Sequence, residues 1–327
     1  MDIMIKNSNI LIMGGYGFIG AHIAKLLSEP KLNNKITVFD ANISDNTTGN
    51  DLDLNKNSRV SIIQGSILDE QDMSSLPKNF NYIIHAAGFL GIEKVAEMQL
   101  KTMDINILGT RNCLDLAVRQ KVKTRILIFS TSEIYGIHCE KPNEDDSSII
   151  PMNGKRWCYA TSKVAAEYYL KAYIQEHRIS GSIIRPFNVF GAYRYGTNAM
   201  TNIINKAIHN EEITISGDGH QIRSWCAIED LCAGVMAILE KGSGTGDAYN
   251  IGNPNNAISI LGLAELIVSI TDSKSKINVM YSISEDVLHR VPNISKANKK
   301  LGYSPKININ TEIKKVADWM RTLDTVQ

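Results

Sequence analysis

The chain has 327 residues, 43% of them hydrophobic, with 35 Lys+Arg set against 34 Asp+Glu for a net charge of +1. That balance offers no basic face to nucleic acid or to an anionic membrane, and no apolar run approaches the ~18 residues of a membrane span. The opening MDIMIKNSN lacks the apolar stretch of a secretion signal. Cys113, Cys139, Cys158, Cys226 and Cys232 show neither CxxC nor metal-ligand spacing. The expectation is a reduced, cytoplasmic protein without a metal, nucleic-acid or membrane partner.

Apolar runs and helical periodicities alternate through the first half. Strands are expected at 9–13, 36–40, 60–64, 82–86, 125–130 and 182–185, and helices at 18–28, 95–120 and 159–177. Continuous apolar strands alternating with helices imply an α/β fold, a Rossmann-type doubly wound parallel sheet with helices on both faces. After Pro186 come shorter helices and Gly/Asn-rich segments such as SGDGHQ (216–221) and NIGNPNN (250–256). The expected division is a dinucleotide-binding domain over 1–187 and a smaller, loop-rich C-terminal substrate-binding domain over 188–327. The chain is free to cross between them more than once.

The first strand runs into GGYGFIG, where Gly14, Gly17 and Gly20 form GxxGxxG. That spacing suits a tight turn, close backbone approach to a pyrophosphate and a helix N-terminus aimed at the anion. Its position between a strand and a helix raises it above a chance glycine pattern. Asp40 ends the second strand, where an acid holds the adenosine ribose hydroxyls. At about 4 Å a second negative charge is repelled by roughly 4 kcal/mol for an effective dielectric of about 20, so NAD is expected over NADP. HAAG (85–88) closes the fourth strand with small residues that let a ligand lie across the sheet edge. His85 is expected to orient this loop and not to do chemistry.

In YATSK, Tyr159 and Lys163 stand four residues apart, on one helix face. A free tyrosine titrates at ~10, and bringing it to ~7 takes about 4 kcal/mol. A neighbouring ammonium and a positive nicotinamide ring can both supply this. The strand at 125–130 ends in STSEIYG, placing Thr131, Ser132 and Glu133 at the tip of a core strand. Thr131 is expected to share with Tyr159 a hydrogen bond to a sugar hydroxyl.

GGYGFIG, Asp40, HAAG, Asn106 in NILGT, STSEIYG, YATSK and RPFNVFG together resemble the extended short-chain dehydrogenase/reductases that modify nucleotide sugars, over about 8–322. Within that group STSEIYG, NGKRWCYATSK, GDGHQIRSWCAIEDL, YNIGNPNNAISI and EDVLHRVPNI resemble the UDP-glucuronate decarboxylases. The resemblance implies that NAD is held by Gly14, Gly17, Phe18, Ile19, Gly20, Asp40, Ser66, Ile67, Ala86, Ala87, Gly88, Asn106, Tyr159, Lys163 and Pro186. It implies Thr131, Tyr159 and Lys163 as the redox triad. It places Asn188, Arg223 and Arg290 on a UDP-sugar, where guanidinium forks suit phosphate or carboxylate. It also implies a homodimer paired through helices near 95–120 and 156–178, with Val164, Ala165, Tyr168 and Tyr169 on the shared face. The chain departs from the family at GSILD. Ser66 stands where an acid often binds the adenine amino group, leaving that contact to Asp69 or to backbone.

Oxidising C4 of the sugar acidifies C5 and makes a C5 carboxylate part of a β-keto acid. Three outcomes then compete. Decarboxylation asks Ser132, Glu133 and Arg223 to hold the carboxylate, stabilise the enolate and reprotonate C5. Elimination of the C6 hydroxyl needs a general acid. Related dehydratases carry Asp-Glu where this chain has Ser132-Glu133, and a serine hydroxyl is a poor acid near neutral pH. Epimerisation at C4 needs neither group, leaving Glu133 to hold its loop. Arg223 suits plain diphosphate binding equally, and Trp157 and Trp225 are expected in packing. A catalytically silent NAD sensor is disfavoured by the intact Tyr159/Lys163 pair. UDP-glucuronate decarboxylation is therefore the expected activity, with elimination and epimerisation as alternatives. FLGIEKVAEMQ (89–99) is expected to shape the sugar site.

Overall fold

The computed structural model describes residues 5–44, 47–122, 125–137, 140–196, 198–280 and 287–324. Cys139 and the first two residues of EDVLHRVPNI lie outside the described residues. Seven strands form one sheet: β1 (Asn9–Met13), β2 (Lys35–Asp40), β3 (Val60–Gln64), β4 (Tyr82–His85), β5 (Arg125–Phe129), β6 (Gly181–Pro186) and β7 (Thr245–Ile251). All pairings are parallel, in the order β7-β6-β5-β4-β1-β2-β3. The chain builds outward from β1 to β3, then returns past β1 and builds the other way. The crevice at the C-terminal ends of β1 and β4 is thus a topological switch point, where such sheets receive ligands.

Side chains alternate across the sheet with the period of two that strands impose. Ile10, Ile12, Ile36 and Val38 face a layer containing α1 (Phe18–Leu27). Leu11, Met13, Ile83, Ile126 and Ile128 face the layer of α2 (Gly109–Arg119) and α3 (Trp157–His177). Both faces are covered, which is why the strands read as unbroken apolar runs.

After β6 the chain leaves the sheet, then returns. α4 (Ile228–Lys241) packs in the same layer as α1, and β7 pairs with β6 at the sheet edge. The register shifts between Thr245 and Ala248, with Gly246 between them at φ +87°. The remaining C-terminal segments form a second lobe around Met200, Ile204, Leu263, Ile267, Ile313 and Val316. It is built from helices Ala199–Ile208 and Ile260–Ile270, α5 (Ile309–Asp324) and short strands. Trp225 packs in this core, and Trp157 packs in a smaller cluster with Tyr135 and Phe187.

The stretch 95–120 differs from the single helix its periodicity suggests. It comprises helices Ile92–Glu97 and Gln99–Met103, a π-helical turn Asp104–Leu108, and α2. Met98 leaves helical backbone at φ −122°, ψ +56°. The wider π turn holds Asn106 at its middle, a device that recurs at functional sites.

A buried charged cluster ties β6 to α3. Arg185 Nε and Nη2 donate to Glu167 Oε1 at 2.9 Å and Oε2 at 2.7 Å. Arg185 Nη1 donates to Tyr135 Oη and to Glu144 O, both at 2.8 Å, and the Tyr135 hydroxyl donates to Asn250 Oδ1 at 2.6 Å. Removing one partner of such a pair strands a charge in the interior. Glu167→Ala is expected to lower the unfolding free energy by about 3 kcal/mol or more, read from urea denaturation midpoints.

Candidate active site

The glycine turn presses against the end of β4. Gly14 sits at φ +73°, and a β-carbon there would lie 2.5 Å from Ala87 N. A β-carbon on Gly20 would overlap Gly14 O. Gly17 is different: it N-caps α1 without a side-chain bond, and α1 carries no acidic residue in its first turn. The free N–H groups of that turn form an anion site. Asp40 Oδ2 accepts from Tyr16 N and Oδ1 from Asn42 N, each at 3.0 Å, so the carboxylate is fixed beside the turn. A cradle that any side chain would fill, an open helix N-terminus and a carboxylate at the end of β2 fit a dinucleotide. Gly14, Gly17, Phe18, Ile19 and Gly20 can surround its diphosphate, and Asp40 its adenosine ribose.

The loop after β3 is pinned differently. Ser66 N donates to Asp72 Oδ2 at 2.8 Å, and Ile67 is buried, its Cδ1 filling the place where a β-carbon on Gly109 would stand. Asp69 caps the helix Glu70–Ser75, accepting from Gln71 N at 2.8 Å and Asp72 N at 2.9 Å. Its carboxylate is thus engaged in capping.

Beyond Ala86 and Ala87, Gly88 marks where the chemical residues converge. A β-carbon on it would come within 3.2 Å of both Lys163 Nζ and Asn106 Oδ1. Lys163 Nζ donates to Phe129 O, the last residue of β5, at 2.9 Å. Asn106 Oδ1 accepts from Phe89 N at 3.0 Å. Its Nδ2 donates to Phe89 O at 3.2 Å and to Ser162 Oγ at 3.0 Å. Ser162 Oγ in turn donates to Tyr159 O at 2.7 Å. One buried amide therefore fixes the HAAG loop against the first turn of α3. Sequence reasoning passed over Ser162, which reads there as a spacer in YATSK. His85 is buried with Nε2 3.0 Å from Thr110 Oγ1, and Thr110 donates to Asn106 O at 2.7 Å. The imidazole must therefore be the donor to Thr110. Burial, with Lys163 adding to it, pushes its pKa down to about 3, so it is a neutral tether for the loop.

Thr131 stands at the Tyr159 hydroxyl and accepts from Glu133 N at 3.2 Å, capping the turn Ser132–Tyr135. Glu133 Oε1 lies 3.4 Å from Arg290 Nη1. Arg290 is only 6% exposed, yet its Nε and Nη2 have no hydrogen-bond partner among the described residues. Arg223 lies opposite Arg290 on paired strands and donates Nη1 to Ile222 O at 3.0 Å. Asn188, two residues past the Pro186 that ends β6, donates to Ser224 O at 2.9 Å. Arg194, which motif reading did not single out, stands with its guanidinium 5.2 Å over the Phe18 ring.

Electrostatics at the site follow burial. Desolvation, opposed by Glu167, pulls Lys163 down to about 8. Desolvation and then Glu133 push Tyr159 up, opposed by Thr131 and Arg194. In the protein alone, desolvation thus outweighs nearby cations at the phenol. Lys163 holds its proton less tightly folded, at about 8, than unfolded at 10.5. The unfolded chain then carries more protons between those values, and this group's contribution to stability rises with pH through that window. Melting temperatures of Lys163→Met should therefore gain on wild type as pH falls from 10.5 to 8, because the variant has no charge to bury; a constant difference would contradict the burial cost.

Residues 10–252 match the NAD dependent epimerase/dehydratase family. The chain is 33% identical over 313 residues to UDP-glucuronic acid decarboxylase 5 of Arabidopsis thaliana, covering 93% of this chain and 86% of that one. It is 28% identical over 330 residues to UDP-N-acetyl-alpha-D-glucosaminuronate decarboxylase of Bacillus cytotoxicus, covering 96% and 98%. Its fold matches UDP-glucuronic acid 4-epimerase from Bacillus cereus, solved with UDP-glucuronic acid and NAD, with a TM-score of 0.87, 27% identity and coverage of 96% and 99%. With a dinucleotide cradle at the switch point and a tyrosine–lysine pair across from it, the chain belongs to the NAD-dependent epimerase/dehydratase family, enzymes of the extended short-chain dehydrogenase/reductase type that modify nucleotide sugars.

Proposed function

We propose that this protein oxidises UDP-glucuronate at C4 and decarboxylates the resulting β-keto acid. The observation that carries the reading is Arg290: a buried guanidinium whose Nε and Nη2 have no hydrogen-bond partner among the described residues, next to Glu133 on the strand-tip turn. A desolvated fork of that kind takes a carboxylate through two parallel hydrogen bonds. The two decarboxylases above and the epimerase solved with UDP-glucuronic acid are all named for uronate sugars, which favours the same substrate class.

Tyr159 receives the proton of the C4 hydroxyl, with Thr131 on the same oxygen. Lys163 orients the cofactor ribose and adds positive charge below the phenol. NAD held by the glycine turn and Asp40 would supply the hydride acceptor for C4, and its positive ring would favour the Tyr159 phenolate. Once C4 is a ketone, the C5 carboxylate leaves as CO2 and its bonding electrons enter an enolate. Tyr159 and Thr131 stabilise the enolate oxygen. Ser132 and Glu133 line the C5 side, where a proton must be delivered. Asn188 and Arg223 hold the nucleotide diphosphate. Two copies pair through the helical stretch 95–120 and α3, where Leu108 is 45% and Tyr168 69% exposed. Sedimentation showing a monomer at micromolar concentration would retire the dimer.

Incubation with NAD and UDP-glucuronate should yield a product lighter by CO2. Loss of water would instead indicate elimination, and an unchanged mass with inverted C4 would indicate epimerisation. Tyr159→Phe should abolish NADH formation, whereas Glu133→Gln should oxidise normally and stall afterwards. Equal loss of both steps in Glu133→Gln would remove its assigned role.

A further inference from the structure

The segment 191–196 is a strap fastened to both lobes. Thr48 Oγ1, just after β2, donates to Tyr193 O at 2.6 Å, and the Tyr195 hydroxyl donates to Asp51 Oδ2 at 2.8 Å. From the other lobe, the Trp319 ring meets Tyr193 edge-on at 5.7 Å and Tyr195 at 5.6 Å. Between these anchors Tyr193 adopts φ +66°. A bulky residue in the left-handed region costs about 1–3 kcal/mol and persists only where the surroundings over-determine it, commonly at ligand clamps. The strained backbone delivers the next residue, Arg194, to the switch-point crevice. Its Nη1 donates to Val189 O at 3.2 Å, and its guanidinium covers Phe18, the first residue of α1 after Gly17.

A dinucleotide diphosphate brings roughly two negative charges to that spot, while a helix N-terminus offers the equivalent of only about half a positive one. The first turn of α1 contains no cationic side chain, Lys25 being in its last. Lys163 is committed to Phe129 O at the far side of Gly88. Among the described residues, the arginine on the strap is a cation set beside this turn, over Phe18. Desolvation pulls its pKa down and Tyr159 opposes that, and the half-buried guanidinium gains by meeting an anion. We propose that Arg194 closes over the cofactor's diphosphate, so that the strap links NAD retention to the docking of the second lobe. This rests on the dinucleotide family and is independent of which sugar reaction follows. A diphosphate also arrives with the nucleotide sugar, but stacking on Phe18 places Arg194 at the glycine turn.

Arg194→Met keeps an apolar stem over Phe18 and removes the charge. Calorimetric titration of the full chain should show NAD and ADP weakened at least about tenfold, with UDP affinity and melting temperature unchanged. Arg194→Lys should recover part of the loss. Unchanged NAD and ADP affinities would overturn the proposal. So would UDP weakened in place of ADP, which would hand the residue to the substrate. A parallel fall in all three nucleotides together with the melting temperature would reduce the strap to a structural role.

Discussion

A backbone contact too close for any β-carbon joins the end of β1 to the end of β4, at Gly14 and Ala87. Everything in the crevice is referred to it. On one side the contact sets the glycine turn and hence the direction of α1. On the other it carries the chain into Gly88 and Phe89, where Asn106 grips the backbone and Ser162 passes the constraint to Tyr159. The diphosphate cradle and the redox residues are therefore two ends of one rigid path, and geometry at either end is fixed by main-chain proximity. A substituent at Gly14 would disturb both, because tightly packed interiors transmit displacement.

Much of this was legible in the residues. The strands of the first half announce themselves because both sheet faces are covered, leaving unbroken apolar runs such as Ile126–Leu127–Ile128. Gly14 and Gly20 are legible because no other residue fits their positions. The Tyr159/Lys163 spacing is legible because a helix face repeats every four residues. The π turn at 104–108 was not, since widening a helix by one residue leaves apolar spacing on either side intact. Nor was the return of the chain to form β7, whose TGDAYNI lacks the apolar density of the other strands. Arg194 and Ser162 sit in ordinary surroundings in sequence; long-range contacts alone distinguish them.

The site is also where the molecule gives up stability. Lys163 is buried at 4% exposure, and Arg290 at 6% has two donors without partners among the described residues. His85 Nδ1 is a third buried polar atom in that state. Each costs free energy that an apolar residue would spare. The paired cluster of Arg185, Glu167, Tyr135 and Asn250 lies close behind, with its donors and acceptors matched. The contrast separates scaffold from workplace. Matched charge holds the strand-tip turn in place, and unmatched charge is exposed to whatever enters.

The late arrival of β7 sets an order of events during synthesis. The cradle and the Tyr159/Lys163 helix are complete once the chain has emerged through β6, and domains assemble from the N-terminus as they are made. Asn250, which takes the Tyr135 hydroxyl bond, is still untranslated then. A nascent chain can thus shelter a nucleotide before the turn bearing Thr131 and Glu133 is locked, and the ribosome must add more than sixty residues after β6 to supply that lock. Until then β6 is an open sheet edge, with unpaired backbone groups that only β7 later covers.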